Sequence, residues 1–363
     1  MADPLHTIMV ERLCCEYPII QTAMGWIAEP ALVIASSEAG AFGFLGAAVM
    51  TPDETGEKIL AVRRGTDRPF GVNFHSFQPG VEKIVDLIIA NKAQVRAVSF
   101  GRGPDAKMIA RFKQAEILCV PTVGAVKHAA TMQKLGVDMV NVQGGEGGGH
   151  TGAVPTTVLL PQVLDAVKIP VIASGGFADG RGLAAALAFG TVGIAMGTRF
   201  LLTQESPVPE NVKAAYLKAG TADIVLTTRL DGIPQRMVRT KLLDRIEHSG
   251  KLGLWLRALE AGNAMRKQTG QSWPQMFRAA KQMVGHGEMP LRQAMMAATM
   301  PMLIQKAVVQ GDLEHGVMAT GVVGGRIDEI PTCQALVTRI VAEARARIAT
   351  LTEHMEAINA DSL

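Results

Sequence analysis

The sequence predicts an α/β chain built as a (β/α)8 TIM barrel, with a mostly helical, basic insertion or lid after the eighth strand. Three observations carry that expectation. Short β-branched or apolar runs alternate with segments of helical period from Pro18 to Met196. Strict alternation implies a parallel sheet, and eight repeats in about two hundred residues suit a closed barrel. Glycine stands where three of the helices should end, at Gly40, Gly136 and Gly190. After Thr203 the alternation stops.

Taken in order, strands are expected at 18–21, 42–45, 70–73, 95–99, 117–121, 139–143, 171–173 and 192–196. Helices are expected between them at 30–38, 52–64, 81–90, 106–114, 125–135, 157–167 and 181–189. Asp179-Gly180 supplies a turn or cap before the last of these. Beyond the barrel, Pro207, Pro209 and a helical stretch at 252–283 read as a small separate domain, 311–325 as loop, and 331–359 as one long closing helix. The expected division is 1–225 for the barrel, 226–314 for the basic helical lid, and 315–363 for a loop and helix returning to the barrel. The long closing helix offers a surface for a homodimer.

With 363 residues, 48% of them hydrophobic, the chain can bury a sizeable core, which excludes a disordered protein. Aromatic residues are only 4%, too few for the stacking platforms of nucleic-acid binders, so nucleic acid is not an expected partner. The formal net charge is +3, yet 229–281 holds eleven cations against four anions, a local +7 that leaves −4 elsewhere. Such asymmetry is either a solvated helical face or a means of steering an anionic substrate. Cys14, Cys15, Cys119 and Cys333 lack metal-binding spacing, and adjacent cysteines pair poorly, so a reducing compartment and no metal are expected. The N-terminus lacks a basic region followed by an apolar core, and the most apolar long window, 31–50, contains Ser36, Ser37, Glu38 and Gly40. Neither a signal peptide nor a membrane span is expected, and the cytoplasm is the expected location.

The chemistry concentrates between Gln143 and Gly152, where six glycines surround Glu146, His150 and Thr151. Glycine admits positive φ and close approach of backbone to a ligand. Buried-looking strands on both sides disfavour a mere linker. Gly147, Gly149 and Gly152 satisfy G-x-G-x-x-G, but Pro155 postpones any helix to about Thr156, so a dinucleotide pyrophosphate would not meet a helix N-terminus. In a barrel, active sites form at the C-terminal strand ends, and phosphate sits on the loops after strands seven and eight. Those loops hold Ser174-Gly175-Gly176 and Met196-Gly197-Thr198, whose backbone N–H groups and Thr hydroxyl make a phosphate cradle. Strand-end position also selects Thr22, Ala23 and Met24, Asn73, Thr122, and Gln143 with Gly148 and Gly149. Small residues and amides around a phosphate site suit a planar cofactor edged with hydrogen-bonding atoms; FMN fits best. His150, in a glycine loop facing such a cofactor, reads as a catalytic base.

Residues 18–25, 143–152, 173–182 and 195–200, with 320–327 near the C-terminus, resemble the nitronate monooxygenase (2-nitropropane dioxygenase) family, a group that includes type II flavin enoyl-acyl-carrier reductases. The resemblance implies a barrel holding FMN without a covalent link, its phosphate near Gly176, Gly197 and Thr198. Residues 143–152, 227–236 and the basic insertion are most similar to the IpdC-type flavoproteins of bacterial steroid C/D-ring breakdown, whose substrates are CoA thioesters. The implied reaction introduces a C–C double bond into the ring system. On that reading His150 removes an α-proton while the β-hydride passes to flavin N5, and backbone N–H groups stabilise the negative charge. Arg229, Arg236 and Arg239 are expected to hold CoA phosphates, because guanidinium forks match phosphate oxygens. The alternatives are nitronate oxidation, NAD(P)H-driven enoyl or quinone reduction, and a non-catalytic phosphate-binding barrel.

Overall fold

The structure is a computed structural model described over residues 3–101, 106–249 and 291–361. The chain divides into two compact units, one of Met1–Gly147, Thr151–Pro207 and Ile327–Leu363, the other of Gly148–His150 and Val208–Arg326. The chain changes unit at Pro207 and Arg326, and at the two ends of a three-residue segment around Gly149.

The first unit is a parallel barrel. Its strands are β1 (Ile19–Gln21), β2 (Phe42–Gly46), β3 (Phe70–His75), β4 (Val95–Gly101), β5 (Leu118–Cys119), β6 (Thr122–Val123), β7 (Val140–Gln143), β9 (Val171–Ser174) and β10 (Ile194–Met196); β8 (Gly149–His150) belongs to the second unit. They lie in the order β5-β4-β3-β2-β1-β10-β9-β7-β6. The expected fifth strand, 117–121, contains β5, breaks at Val120 and Pro121, and runs past its expected end as β6. Val120 N donates to Val98 O at 2.8 Å, and Asn141 N donates to Pro121 O at 2.9 Å, so the row closes on itself with eight strands. Pro121 has no N–H for a ladder, which is why the strand splits there.

Ile20, Phe42, Phe44, Ala97, Val120, Met139, Ile172 and Ala195 form one buried cluster with Met9 and Leu13. β3 contributes no side chain at this level. A Cβ at Gly71 would lie 2.3 Å from the Phe44 ring and 2.9 Å from that of Phe42, rings that meet edge to face with centroids 5.1 Å apart. Met9 and Leu13 come from the helix Ile8–Leu13, where the neighbouring Thr7 donates its hydroxyl to Val192 O at 2.6 Å. That helix was not expected, since six residues show no period.

Side chains alternate along a strand, so residues two beyond the apolar layer face the same interior. They are Thr22, Gly46, Asn73, Ser99, Thr122, Asn141, Ser174 and Gly197. The interior therefore turns from apolar to small or polar at the C-terminal strand ends. Helices Pro30–Glu38, Pro52–Gly65, Val81–Ala90, Ala106–Gln114, Val126–Lys134, Thr156–Ala166 and Gly180–Ala188 follow the strands as expected. The closing helix Cys333–Asp361 is joined to the barrel helix Gly180–Ala188, with Glu343 Oε2 accepting from Gly180 N at 2.9 Å.

Arg199 fastens the segment leading into that helix. It is buried and donates through Nη2 to Leu202 O at 2.6 Å and Glu329 O at 2.9 Å; burial lowers its pKa to about 10. Arg199→Met leaves two carbonyls without their donor and is expected to destabilise the protein by about 3 kcal/mol, at roughly 1–3 kcal/mol per unsatisfied group. The urea midpoint should fall with an unchanged m-value. A midpoint within error of wild type would mean that the carbonyls find other donors.

The second unit contains helix Glu210–Lys218, strands β11 (Ile224–Thr227) and β12 (Gln235–Val238), and helices Lys241–Glu247 and Leu291–Val308. β12 is central in an antiparallel sheet of order β11-β12-β8, with Gln235 opposite His150 and Arg236 opposite Gly149. Its core holds Leu230, Met237, Leu243, Ile246, Met300 and Val317. The described part of the expected helical lid is thus helix and sheet together. The helical stretch expected at 252–283, with the cations from Lys251 to Lys281, lies outside the described residues.

Candidate active site

In the first unit the strand-end residues form a polar floor. Asn73 Nδ2 donates to Ser99 O at 3.1 Å and Asn141 Nδ2 to Thr122 Oγ1 at 3.1 Å. Asn141 Oδ1 is buried and finds no hydrogen-bond partner among the described residues. Thr22 N donates to Met196 O at 3.1 Å. A Cβ on Gly197 would lie 3.0 Å from Thr22 Oγ1 and 3.4 Å from Met24 Sδ, so the loops after β1 and β10 are adjacent. Ala23 turns its methyl onto the apolar cluster, which leaves its backbone for the rim.

Gly175 and Gly176 take left-handed φ of 95° and 88°, a conformation that glycine adopts without strain. Around a Cβ on Gly176 only Glu146 carbons come near, at 3.6 and 3.8 Å, so the loop leaves room for an approaching group. Glu146 Oε2 accepts from Thr156 N at 2.8 Å, and Thr156 Oγ1 lies 2.6 Å from that oxygen and 3.0 Å from Gly175 O. The loops after β7 and β9 are therefore tied through one threonine. Thr198 and Ser174 are buried beside them.

His150, Gly148 and Gly149 belong to the second unit. Gly148 packs so closely that a Cβ would lie 2.6 Å from Gly321 N, whereas Gly149, with φ 65°, faces open space. His150 Nε2 lies 2.7 Å from Asp231 Oδ2. Asp231 is buried at 4% exposure, and its Oδ1 accepts from Ile233 N at 3.0 Å. Burial pushes that carboxyl up, but the bonds to His150 and Ile233, with the Gln235 amide nearby, outweigh it and hold the group below its ordinary value.

Arg229 Nε stands 4.0 Å from Glu247 Oε2, and Arg236 lies on β12 opposite Leu226. Arg239 Nε stands 4.0 Å from Asp244 Oδ1, and it alone of the three lines an open cavity of about 420 Å3, with Lys218 and Lys241 as further cations and Asp223 and Glu314 as anions. Among the described residues no group of three or more His, Cys, Asp or Glu could hold a metal, and no helix is long and apolar enough to cross a membrane.

Asp231, Ser99, Asn141 and Glu146 were not among the expected site residues. Ser99 and Asn141 carry a usable signal, since each stands two positions beyond a buried apolar residue of its strand. Asp231 carries none, because its meeting with His150 depends on a strand pairing between distant segments.

The nitronate monooxygenase family profile matches residues 6–86 and 76–343. A (3aS,4S,5R,7aS)-5-hydroxy-7a-methyl-1-oxo-octahydro-1H-indene-4-carboxyl-CoA dehydrogenase of Rhodococcus jostii (strain RHA1) is 44% identical over 347 residues, 96% of this chain and 98% of that protein. The enzyme of the same name from Mycobacterium tuberculosis (strain ATCC 25618 / H37Rv) is 44% identical over 355 residues, 97% of this chain and 99% of that one. Among solved structures, FabK from Thermotoga maritima matches with a TM-score of 0.77 and 33% identity, covering 96% of this chain and 99% of its own. The whole barrel and most of the second unit thus fall within one matched family, and the chain belongs to the nitronate monooxygenase family of oxidoreductases.

Proposed function

We propose that the protein is an FMN-dependent dehydrogenase that introduces a C=C bond beside the carbonyl of a ring-bearing CoA thioester. The observation that carries this reading is the run of β12. Gln235 stands opposite His150, and four residues on, about 13 Å at the rise of a strand, Arg239 lines the cation-bearing cavity. An acid–base group and an anion site separated by the reach of an extended pantetheine arm suit a CoA ester; a small nitronate has no use for the second. The similarity to two CoA-ester dehydrogenases supports the same choice.

The strand-end residues fit a flavin mononucleotide. Backbone N–H groups of Gly175, Gly176, Gly197 and Thr198 would hold its phosphate. Thr22, Ala23, Met24, Asn73, Thr122, Gln143, Ser174 and Met196 would edge its ring, with Gly148 and Gly149 contributing backbone alone. The unpartnered Asn141 Oδ1 is an acceptor suited to a ring N–H. When bound, a flavin supplies the acceptor for the hydride that leaves the β-carbon. His150 takes the α-proton, and the N–H groups of the Ala23-Met24 turn and the glycine loop stabilise the enolate oxygen. Arg239, with Lys218 and Lys241, binds the phosphates; Arg229 and Arg236 extend the positive field.

Anaerobic mixing of the yellow protein with an alicyclic CoA thioester, a nitronate or NADPH, followed by flavin absorbance, tests this. Bleaching by the thioester alone is expected. Bleaching by nitronate with the thioester inert would restore the activity for which the family is named. Arg239→Ala is expected to raise KM for the thioester about tenfold, the loss of one charge-assisted hydrogen bond, with kcat little changed. An unchanged KM would remove Arg239 from the substrate site.

A further inference from the structure

His150 and Asp231 differ sharply in setting: the imidazole side chain is 50% exposed and the carboxylate 5%. Exposed ion pairs have little consequence because water competes for both partners. A buried carboxylate bonded to a half-exposed ring is a different device, in which the inner group dictates the orientation of the outer one. The backbone fixes both ends here. His150 is one of the two residues of β8 and is paired with Gln235. Asp231 sits in the β11–β12 connection, which is closed by Gly232 N donating to Thr228 O at 2.9 Å, with Gly232 at φ 82°. The Ile233 N–H engages Oδ1 and leaves Oδ2 directed at Nε2.

We propose that Asp231 is a positioning residue for His150: its carboxylate accepts the Nε2 proton and holds the neutral ring in the Nε2–H tautomer, with the basic lone pair on Nδ1. This rests on the reading of His150 as the base. An ionised partner is required, and the bonds that hold the Asp231 carboxyl below its ordinary value provide one at neutral pH. Once Nδ1 has taken a proton, the imidazolium stays paired with a buried negative charge, which favours the proton-transfer step. Histidines that work as bases or ligands are commonly set in this way by the group on their other nitrogen.

Asp231→Asn is the discriminating variant. The Ile233 N–H requires an acceptor, so the amide oxygen takes the Oδ1 place and the NH2 group meets Nε2. Two donors then face each other unless the ring changes to the Nδ1–H tautomer. Nitrogen-15 spectra of the flavin-loaded, histidine-labelled protein at neutral pH are expected to show His150 as Nε2–H in wild type and as Nδ1–H in D231N. Turnover of the thioester should fall about 10²-fold or more in kcat, with KM within about twofold, as for loss of a partner that orients a catalytic imidazole. An Nδ1–H signature in wild type would overturn the proposal without any variant. So would a D231N protein that keeps the Nε2–H signature and wild-type kcat. If the tautomer inverts in D231N while His150→Ala keeps full turnover, the positioning stands and the base reading falls.

Discussion

His150→Ala is expected to lower turnover of a CoA thioester by about 10²- to 10⁴-fold while the protein remains yellow. The magnitude is that of a positioned general base. The change is confined to a half-exposed side chain, and the β8 pairing uses backbone groups, so the antiparallel sheet of the second unit should persist. Stopped-flow reduction under anaerobic conditions isolates the chemical step from reoxidation, and the loss should appear in the limiting rate of bleaching rather than in its concentration dependence. Reduction at the wild-type rate would remove His150 from the chemistry.

Gly71→Ala is expected to destabilise the barrel by about 3 kcal/mol. The added Cβ would fall 2.3 Å from the Phe44 ring and 2.9 Å from the Phe42 ring, both fully enclosed in a close-packed layer. Overpacking a core in this manner typically costs about 1–3 kcal/mol and occasionally more. The rings lie one layer beneath Thr22, Asn73 and Thr122, so flavin retention should weaken together with the unfolding midpoint. Chemical denaturation followed by tryptophan emission and by released flavin reads both. A wild-type midpoint would mean that the two rings can move aside at no cost, contrary to the density of the cluster around them.

The barrel was legible because its signals are local. Alternating strand and helix, glycine at the helix ends, and paired glycine loops after the seventh and eighth strands each follow from a few neighbouring residues, and the structure carries all of them. Thr22, Asn73, Thr122, Ser174 and Gly197 could be chosen from strand ends alone, since period two aims them into the interior. Ser99 and Asn141 were open to the same reasoning. What escaped depends on contacts between distant segments. Nothing near Pro121 announces that a broken strand would still close the barrel. Likewise Asp231 carries no mark of its partner, and the basic window conceals that Arg229 faces Glu247 while Arg239 lines a cavity.

The second unit draws three of its residues, Gly148–His150, from a place in the chain far ahead of the rest. During synthesis the β11–β12 hairpin can form as soon as its own turn has emerged, but its other neighbour was made long before, within the connection that follows β7. The sheet is complete only when β8 pairs with a hairpin made later. His150 thus reaches its final setting by a late, long-range pairing, the slow kind of folding event. Excising residues 208–326 to obtain a smaller protein would strip β8 of its partner strand, and expressing them alone would leave β12 with an unprotected edge, a template for aggregation. The two units are separable as compact bodies but not as genes.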